Sequence, residues 1–295
     1  MRISVAAINY FWPKEQVQAF YHQLCDAPVD IVYLGETVCA KRNQLNLSDW
    51  QVLAAMLMEA GKEVVLSSLA LITSRAEIQM LKRLCASEGF LIEANDMAAV
   101  QLLSESKRPF VCGSSINIYN THTLGKLESL GMCRWVMPVE LTADTLDDIL
   151  REARLHGIKV ETEVLGLGRL PLAYSARCFT ARAENRPKDS CELACLQDPG
   201  GRDLYSQESQ KLFTLNGIQT LSGASQNLVP EKLRMERLGV DIFRVAPEAH
   251  MKIDFFRQLR RQLDANRTTA SDEDSCNGYW HGGAGMERIA AEELM

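Results

Sequence analysis

The chain has 295 residues, of which 46% are hydrophobic and 24% charged, a globular composition that excludes a mostly disordered polymer. Its formal net charge of −6 argues against a nucleic-acid-coating role, because phosphate binding wants a basic surface. No apolar run approaches the roughly 20 residues that span a bilayer. The opening residues, Met1 to Tyr10, turn polar too soon for a secretory signal. The expectation is a cytoplasmic protein with no transmembrane segment.

Strand and helix signals alternate from the first residues onward. Arg2–Ile8 reads as a strand, and Pro13-Lys-Glu-Gln16 opens a helix with proline and acid in its first turn. Asp30–Leu34 is the second strand. Ser48 and Gln51 read as the N-cap and third residue of a capping box on a helix that runs to Gly61. Glu63–Leu69, Phe90–Glu93, Phe110–Cys112, Cys133–Met137 and Ile158–Val164 are the next strands. Helices between them start at Ser74, Asp96, Thr121 and Thr142.

The rhythm then breaks over 166–206, which is polar and aperiodic. Asn216-Gly217 between two alternating runs signals a hairpin. Ser225–Leu238 reads as helix, Asp241–Val245 as strand and Ala249–Ala265 as the last helix. Eight strand–helix units predict an α/β fold of the TIM-like (β/α)8 barrel type, with a Cys-rich insertion after strand seven. The barrel domain covers 1–265 with its insertion at 166–206, and a tail follows over 266–295. No Gly-x-Gly-x-x-Gly follows the first strand, so a dinucleotide site is unsupported.

In such a barrel the chemistry sits at the C-terminal strand ends. Those ends supply Asn9, Glu36, Ser67, Glu93, Asn95, Asn117, Glu140, Glu161, Glu163 and Arg244. Arg169 and Arg244 are candidates to pair with a substrate carboxylate, and Glu36 and Asn117 are further substrate candidates; no residue is assigned a catalytic role.

Nine cysteines are an odd count in a chain expected to be reduced, which argues against a closed disulfide set. Cys178, Cys191 and Cys195 fall within the aperiodic loop beside Arg177, Lys188, Asp189 and Glu192. Buried thiols normally sit in apolar runs, so these three read as metal or cluster ligands. Cys39 follows strand two on the face where that loop opens and is the fourth candidate, with Cys276 in reserve. Cys25, Cys85, Cys112 and Cys133 lie on helix or strand patterns and read as structural. The spacing leaves zinc and iron–sulfur open, since only Cys191 and Cys195 form a close pair. Arg42, Arg177 and Arg182 would offset the charge of a thiolate-ligated group.

These segments carry a resemblance. Tyr174-Ser-Ala-Arg-Cys178-Phe-Thr-Ala-Arg, Arg186-Pro-Lys-Asp-Ser-Cys191-Glu-Leu-Ala-Cys195 and Leu215-Asn-Gly-Ile-Gln-Thr-Leu-Ser-Gly resemble the collagenase-like peptidase family U-32. Tyr33-Leu-Gly-Glu-Thr-Val-Cys39-Ala-Lys-Arg and Asn277-Gly-Tyr-Trp-His-Gly fit the same family, in particular its branch that works in oxygen-independent ubiquinone biosynthesis. The resemblance implies a 4Fe-4S cluster on Cys39, Cys178, Cys191 and Cys195. It implies a heterodimer with a UbiU-like homologue and a UbiT-like lipid carrier in the same pathway. It also implies an aromatic substrate, with prephenate as oxygen donor. No Gly-x-Ser-x-Gly or His-Glu-x-x-His occurs. A peptidase-like protein and a non-catalytic scaffold for the partner subunit are the alternative readings. The pairs Phe11-Trp12 and Tyr279-Trp280 read either as partner-interface residues or as caps on the barrel ends.

Overall fold

The structure, a computed structural model, describes residues 1–265 and 274–290. Eight parallel strands close into a barrel. They are β1 (Arg2–Val5), β2 (Ile31–Leu34), β3 (Glu63–Ser67), β4 (Leu91–Ala94), β5 (Phe110–Cys112), β6 (Met132–Val136), β7 (Glu161–Tyr174) and β11 (Ile242–Val245). Closure comes from β11, which pairs in parallel with both β7 and β1. The helices α1 (Lys14–Leu24), α2 (Leu47–Glu59), α3 (Arg75–Cys85), α4 (Met97–Glu105), α5 (Thr121–Ser129), α6 (Ala143–Leu155), α8 (Lys232–Leu238) and α9 (Ile253–Asp264) follow their strands. Strands buried on both faces read as nearly continuous apolar runs, and the period of two separates those faces. Ile3, Val32, Leu34, Val64, Leu66, Ile92, Phe110, Trp135 and Phe243 belong to the large core that also holds the apolar sides of the helices.

The opposite parity faces inward, where the barrel holds charge. Glu163, with no exposed side-chain surface, accepts from Ser4 Oγ at 2.6 Å, Tyr33 Oη at 2.5 Å and Arg244 Nη1 at 2.9 Å. Arg244 Nη2 donates to Glu93 at 2.7 Å, and its guanidinium lies 4.2 Å from the centre of the Tyr33 ring. Glu93 also accepts from Ser67 at 2.6 Å. Below Tyr33, Arg134 donates to Glu63 and Glu161, both at 2.6 Å, and Arg2 bonds Glu161 as well. Glu161 therefore belongs to the N-terminal end of the barrel, not to the mouth expected for it. It is the first residue of β7, and parallel strands place their first residues at the closed end.

Three further expectations are corrected. The box on α2 is formed by Asn46 and Asp49, whose side chains each accept from the other's backbone N–H; Asn46 is the residue with extended backbone at the helix start. Strand seven does not stop at Val164. It runs to Tyr174, and its outer half leaves the barrel to pair antiparallel with β10 (Gln219–Asn227). That second sheet continues through β9 (Lys211–Asn216) to β8 (Arg202–Tyr205). Ser225 accordingly lies in β10, and helix begins only with a short 3-10 turn at Val229–Glu231 before α8.

Of the expected tail, 266–273 and 291–295 lie outside the described residues. Residues 274–290 return to the barrel: β12 (Ser275–Cys276) pairs with β10, and Trp280 is 1% exposed. Phe11 and Trp12 are likewise 3% and 1% exposed. These three rings are internal packing, because an apolar ring covered by its own chain has no surface left to offer a partner.

Candidate functional site

The mouth of the barrel is nearly filled. The cavity there has a volume of about 40 Å³ and is lined by Asn9, Glu93, Asn95, Tyr174 and Arg244 among others. Small-molecule sites occupy about 300–1,000 Å³, so this space suits a few waters. Both terminal nitrogens of Arg244 are held by Glu93 and Glu163, which leaves that guanidinium already neutralised.

The other substrate candidates separate. Arg169 donates to Gly200 O at 3.0 Å from the outer half of β7, and its Nε is buried without a partner. It lines a cavity of about 800 Å³ with Glu248 and His250, outside the mouth. Asn117 is exposed on the loop after β5. Glu36 turns back on its own loop, where it accepts from the backbone N–H groups of Val38 at 2.8 Å and Cys39 at 3.0 Å. Burial raises the Glu36 carboxyl above its ordinary range, and nearby Arg42 counters it in part.

Beside the mouth, four segments converge on a corner that holds the loop cysteines. Asn216 ends β9, and Gly217 opens the turn with φ +67°, as the first central residue of a II′ hairpin requires. Phe179 N donates to Gly217 O at 2.9 Å, and Gly217 N donates to Thr180 Oγ1 at 2.9 Å. The hairpin thus holds the short helix α7 (Phe179–Ala183), for which Cys178 Sγ is the N-cap acceptor at 3.4 Å from Ala181 N. Asn216 accepts from Arg42 Nη2 at 2.7 Å, and Asn9 O accepts from Arg42 Nη1 at 2.7 Å. Lys41 donates to Lys188 O at 2.6 Å. The Cys39 loop is therefore fastened to the β1 loop by Arg42 and to the Cys191 segment by Lys41.

Burial is the main influence raising the thiols of Cys39 and Cys195. Cys178 is near enough to Cys39 that its charge raises that thiol further, and Cys178 and Cys191 act on Cys195 in the same way. The positive charge of Arg42 opposes both shifts. The four thiols share one corner without being drawn together as ligands: among the described residues no group of three or more His, Cys, Asp or Glu side chains is placed to hold a metal ion.

The corner nevertheless fits an anionic thiolate-bound group on two observations. Arg42 is 4% exposed and its Nε is buried with no partner, a cation held inside the protein. Between Cys191 and Cys195, Glu192 and Leu193 both have left-handed backbone, φ +48° and +54°. Such residues cost about 1–3 kcal/mol each and persist where the surroundings impose them.

The remaining cysteines stand apart. Cys276 is 1% exposed and bonded toward Ala224 O, with its thiol pushed up to about 11 by burial. Cys85 and Cys112 are buried, their thiols pushed up to about 11 and about 12 by burial. His22 is exposed on α1 and His156 is exposed at the C-cap of α6. Among the described residues no histidine side chain hydrogen-bonds a cysteine or serine side chain, the contact by which a base would activate such a nucleophile.

Sequence reasoning missed Lys41 and the fastening role of Arg42, Asn9 and Asn216. Their only signal was that each lies within a few residues of a turn or a cysteine.

Several solved structures align with most of the chain at low identity. Dihydropteroate synthase from Thermus thermophilus is 11% identical with TM-score 0.42, covering 89% of this chain and 92% of that one. A tryptophan synthase complex from Pyrococcus furiosus is 9% identical with TM-score 0.47, covering 89% and 96%. The spore cortex-lytic enzyme SleL of Bacillus cereus is 10% identical with TM-score 0.41, covering 92% and 76%. The sequence profile of Peptidase family U32 matches residues 13–268, most of the chain, and the protein belongs to that family.

Proposed function

We propose that this chain is a UbiV-like subunit which carries a 4Fe-4S cluster on Cys39, Cys178, Cys191 and Cys195. With a UbiU-like homologue it would perform oxygen-independent ring hydroxylation in ubiquinone biosynthesis. The observation that carries the reading is the corner itself. Two distant segments bring Cys39, Cys178, Cys191 and Cys195 within electrostatic reach of one another and of the buried Arg42 guanidinium. Such a cluster, when bound, supplies one-electron transfer.

The chain's own residues have three tasks in this reading. Lys41 and Arg42 fasten the Cys39 loop to its neighbours. Arg42 offsets negative charge on the thiolates, and the hairpin at Gly217 fixes Cys178. Four thiolate ligands leave no vacant position for substrate at the metal, and the mouth cavity of about 40 Å³ is too small for an aromatic ring. A homologous partner that completes the substrate site answers both facts. A UbiT-like carrier would present the precursor, and prephenate would be the oxygen donor.

The test is anaerobic purification followed by iron analysis and visible spectroscopy. Brown protein with about four irons per chain is the expected result. Colourless protein with stoichiometric zinc would remove the redox reading, and full hydroxylation by this chain alone would remove the partner.

A further inference from the structure

The helices around the barrel pack in pairs: α1 against α2, α3 against α4 and α5 against α6, with no comparable contact between α2 and α3. The gap between those two is a cleft of about 550 Å³, within the range of small-molecule sites. Its floor is the outer face of the sheet at Leu34 and Leu66. Leu45, Trp50, Ile72, Met80, Leu81 and Leu84 form its walls. Its opening is polar, with Asn43 and Arg83 at the rim. Neither their side chains nor the Trp50 indole N–H has a partner among the described residues, and all three are hydrogen-bond donors. The lining carboxylates Glu36 and Glu77 already accept from backbone N–H groups.

One wall of the cleft is the Cys39 loop. Arg42 lines the cleft, and its positive charge also acts on the Cys195 thiol. A molecule in the cleft would therefore lie one side chain away from the cysteine corner.

We infer that the cleft between α2 and α3 binds an apolar ring compound carrying an acceptor oxygen, such as a phenol with a short hydrocarbon tail. The apolar floor and walls select the ring and tail by removing their surface from water, and the donors at the rim select the oxygen. The volume admits a small molecule and not a packed helix of a partner. That this ligand is also the molecule acted upon rests on the function proposed above; that it binds does not.

The test uses the full chain, purified anaerobically, titrated calorimetrically with 2-geranylphenol. Met80→Trp fills the cleft from a position already 43% exposed. Val52→Trp, on α2 at a position 70% exposed that does not line the cleft, is the control. The expected result is binding by the native protein, weakened at least about tenfold in Met80→Trp, or about 1.4 kcal/mol. Val52→Trp should bind as the native protein does. Absence of binding to the native protein would overturn the inference, and so would equal binding by a folded Met80→Trp protein. Iron content, measured on the same samples, keeps the two ideas apart. Normal iron without binding removes the cleft alone; binding without iron leaves the cleft standing and removes the cluster.

Discussion

The barrel interior and the cysteine corner handle buried charge in opposite ways. Inside the barrel, Glu93, Glu163, Arg134 and Arg244 have no side-chain nitrogen or oxygen that is both buried and without a partner. Their charges alternate along a column from Arg2 to Asn95. In the corner, Arg42 keeps an unpartnered Nε, four thiols lie within electrostatic reach of one another, and two residues hold left-handed backbone. A closed network serves rigidity. An open one is where a further group can be received, so the corner and not the column is where binding is to be sought.

The contrast is broken most directly at Glu163. Glu163→Ala leaves Arg244 and Tyr33 without a shared acceptor and should cost about 3–5 kcal/mol of folding stability, read as a shifted urea midpoint. A midpoint equal to that of the native protein would show that the column is not structural. The corner should behave in reverse. If the proposed cluster sits there, replacing Cys39, Cys178, Cys191 or Cys195 by Ala should remove its iron, while the folding stability of the metal-free protein, read from the urea midpoint, changes by less than about 1 kcal/mol. Cys25→Ala should leave iron untouched. Full iron in Cys39→Ala would show that another residue completes the set.

The closed end of the column gives a pH signature. Burial opposes ionisation of Glu161, but the hydrogen bonds and charges of Arg134 and Arg2 outweigh it and hold the carboxyl below the usual range. A depressed folded value means stability that is present above the unfolded carboxylate pKa, about 4.3, and lost as pH falls through the folded value. Glu161→Gln should therefore be less stable than the native protein at pH 7. The difference should shrink as pH falls below about 4; a difference constant from pH 7 to 3 would exclude this linkage. The smallest effect is expected outside both regions. Asn46→Ala removes one half of the capping box on α2 and should cost about 1 kcal/mol, by the same urea measurement.

How much of this was legible follows from the same contrast. Strand and helix positions were readable because helix caps such as Asp96 and Thr142 and closing glycines such as Gly61 are local signals. The charged column was only partly readable. Glu93 and Arg244 lie near the C-terminal ends of their strands as expected, but Glu161 and Glu163 are the first and third residues of β7, because that strand starts after Ile158 and runs well beyond Val164. The extension of strand seven was hidden by Gly166, Gly168 and Pro171, which look like breakers in sequence. In the fold Gly166 is needed, because a Cβ there would lie 2.1 Å from the Phe243 ring. The cysteines were legible as a polar cluster. The cleft was not, since its floor and walls come from two strands, two helices and the loops between them, with no shared period.

The fourteen residues of β7 have a mechanical consequence. One unbroken strand is hydrogen-bonded to β6 and β11 in its first half and to β10 in its second. The ribbon is therefore not hinged to the barrel but cantilevered from it. Any tilt that moves Cys178 and the Gly217 hairpin must bend a strand anchored on both sides at its root. A partner pressing on the ribbon would transmit that load to Glu163 and Arg244 at the barrel's centre, and the corner would keep its bearing on the mouth while being pushed.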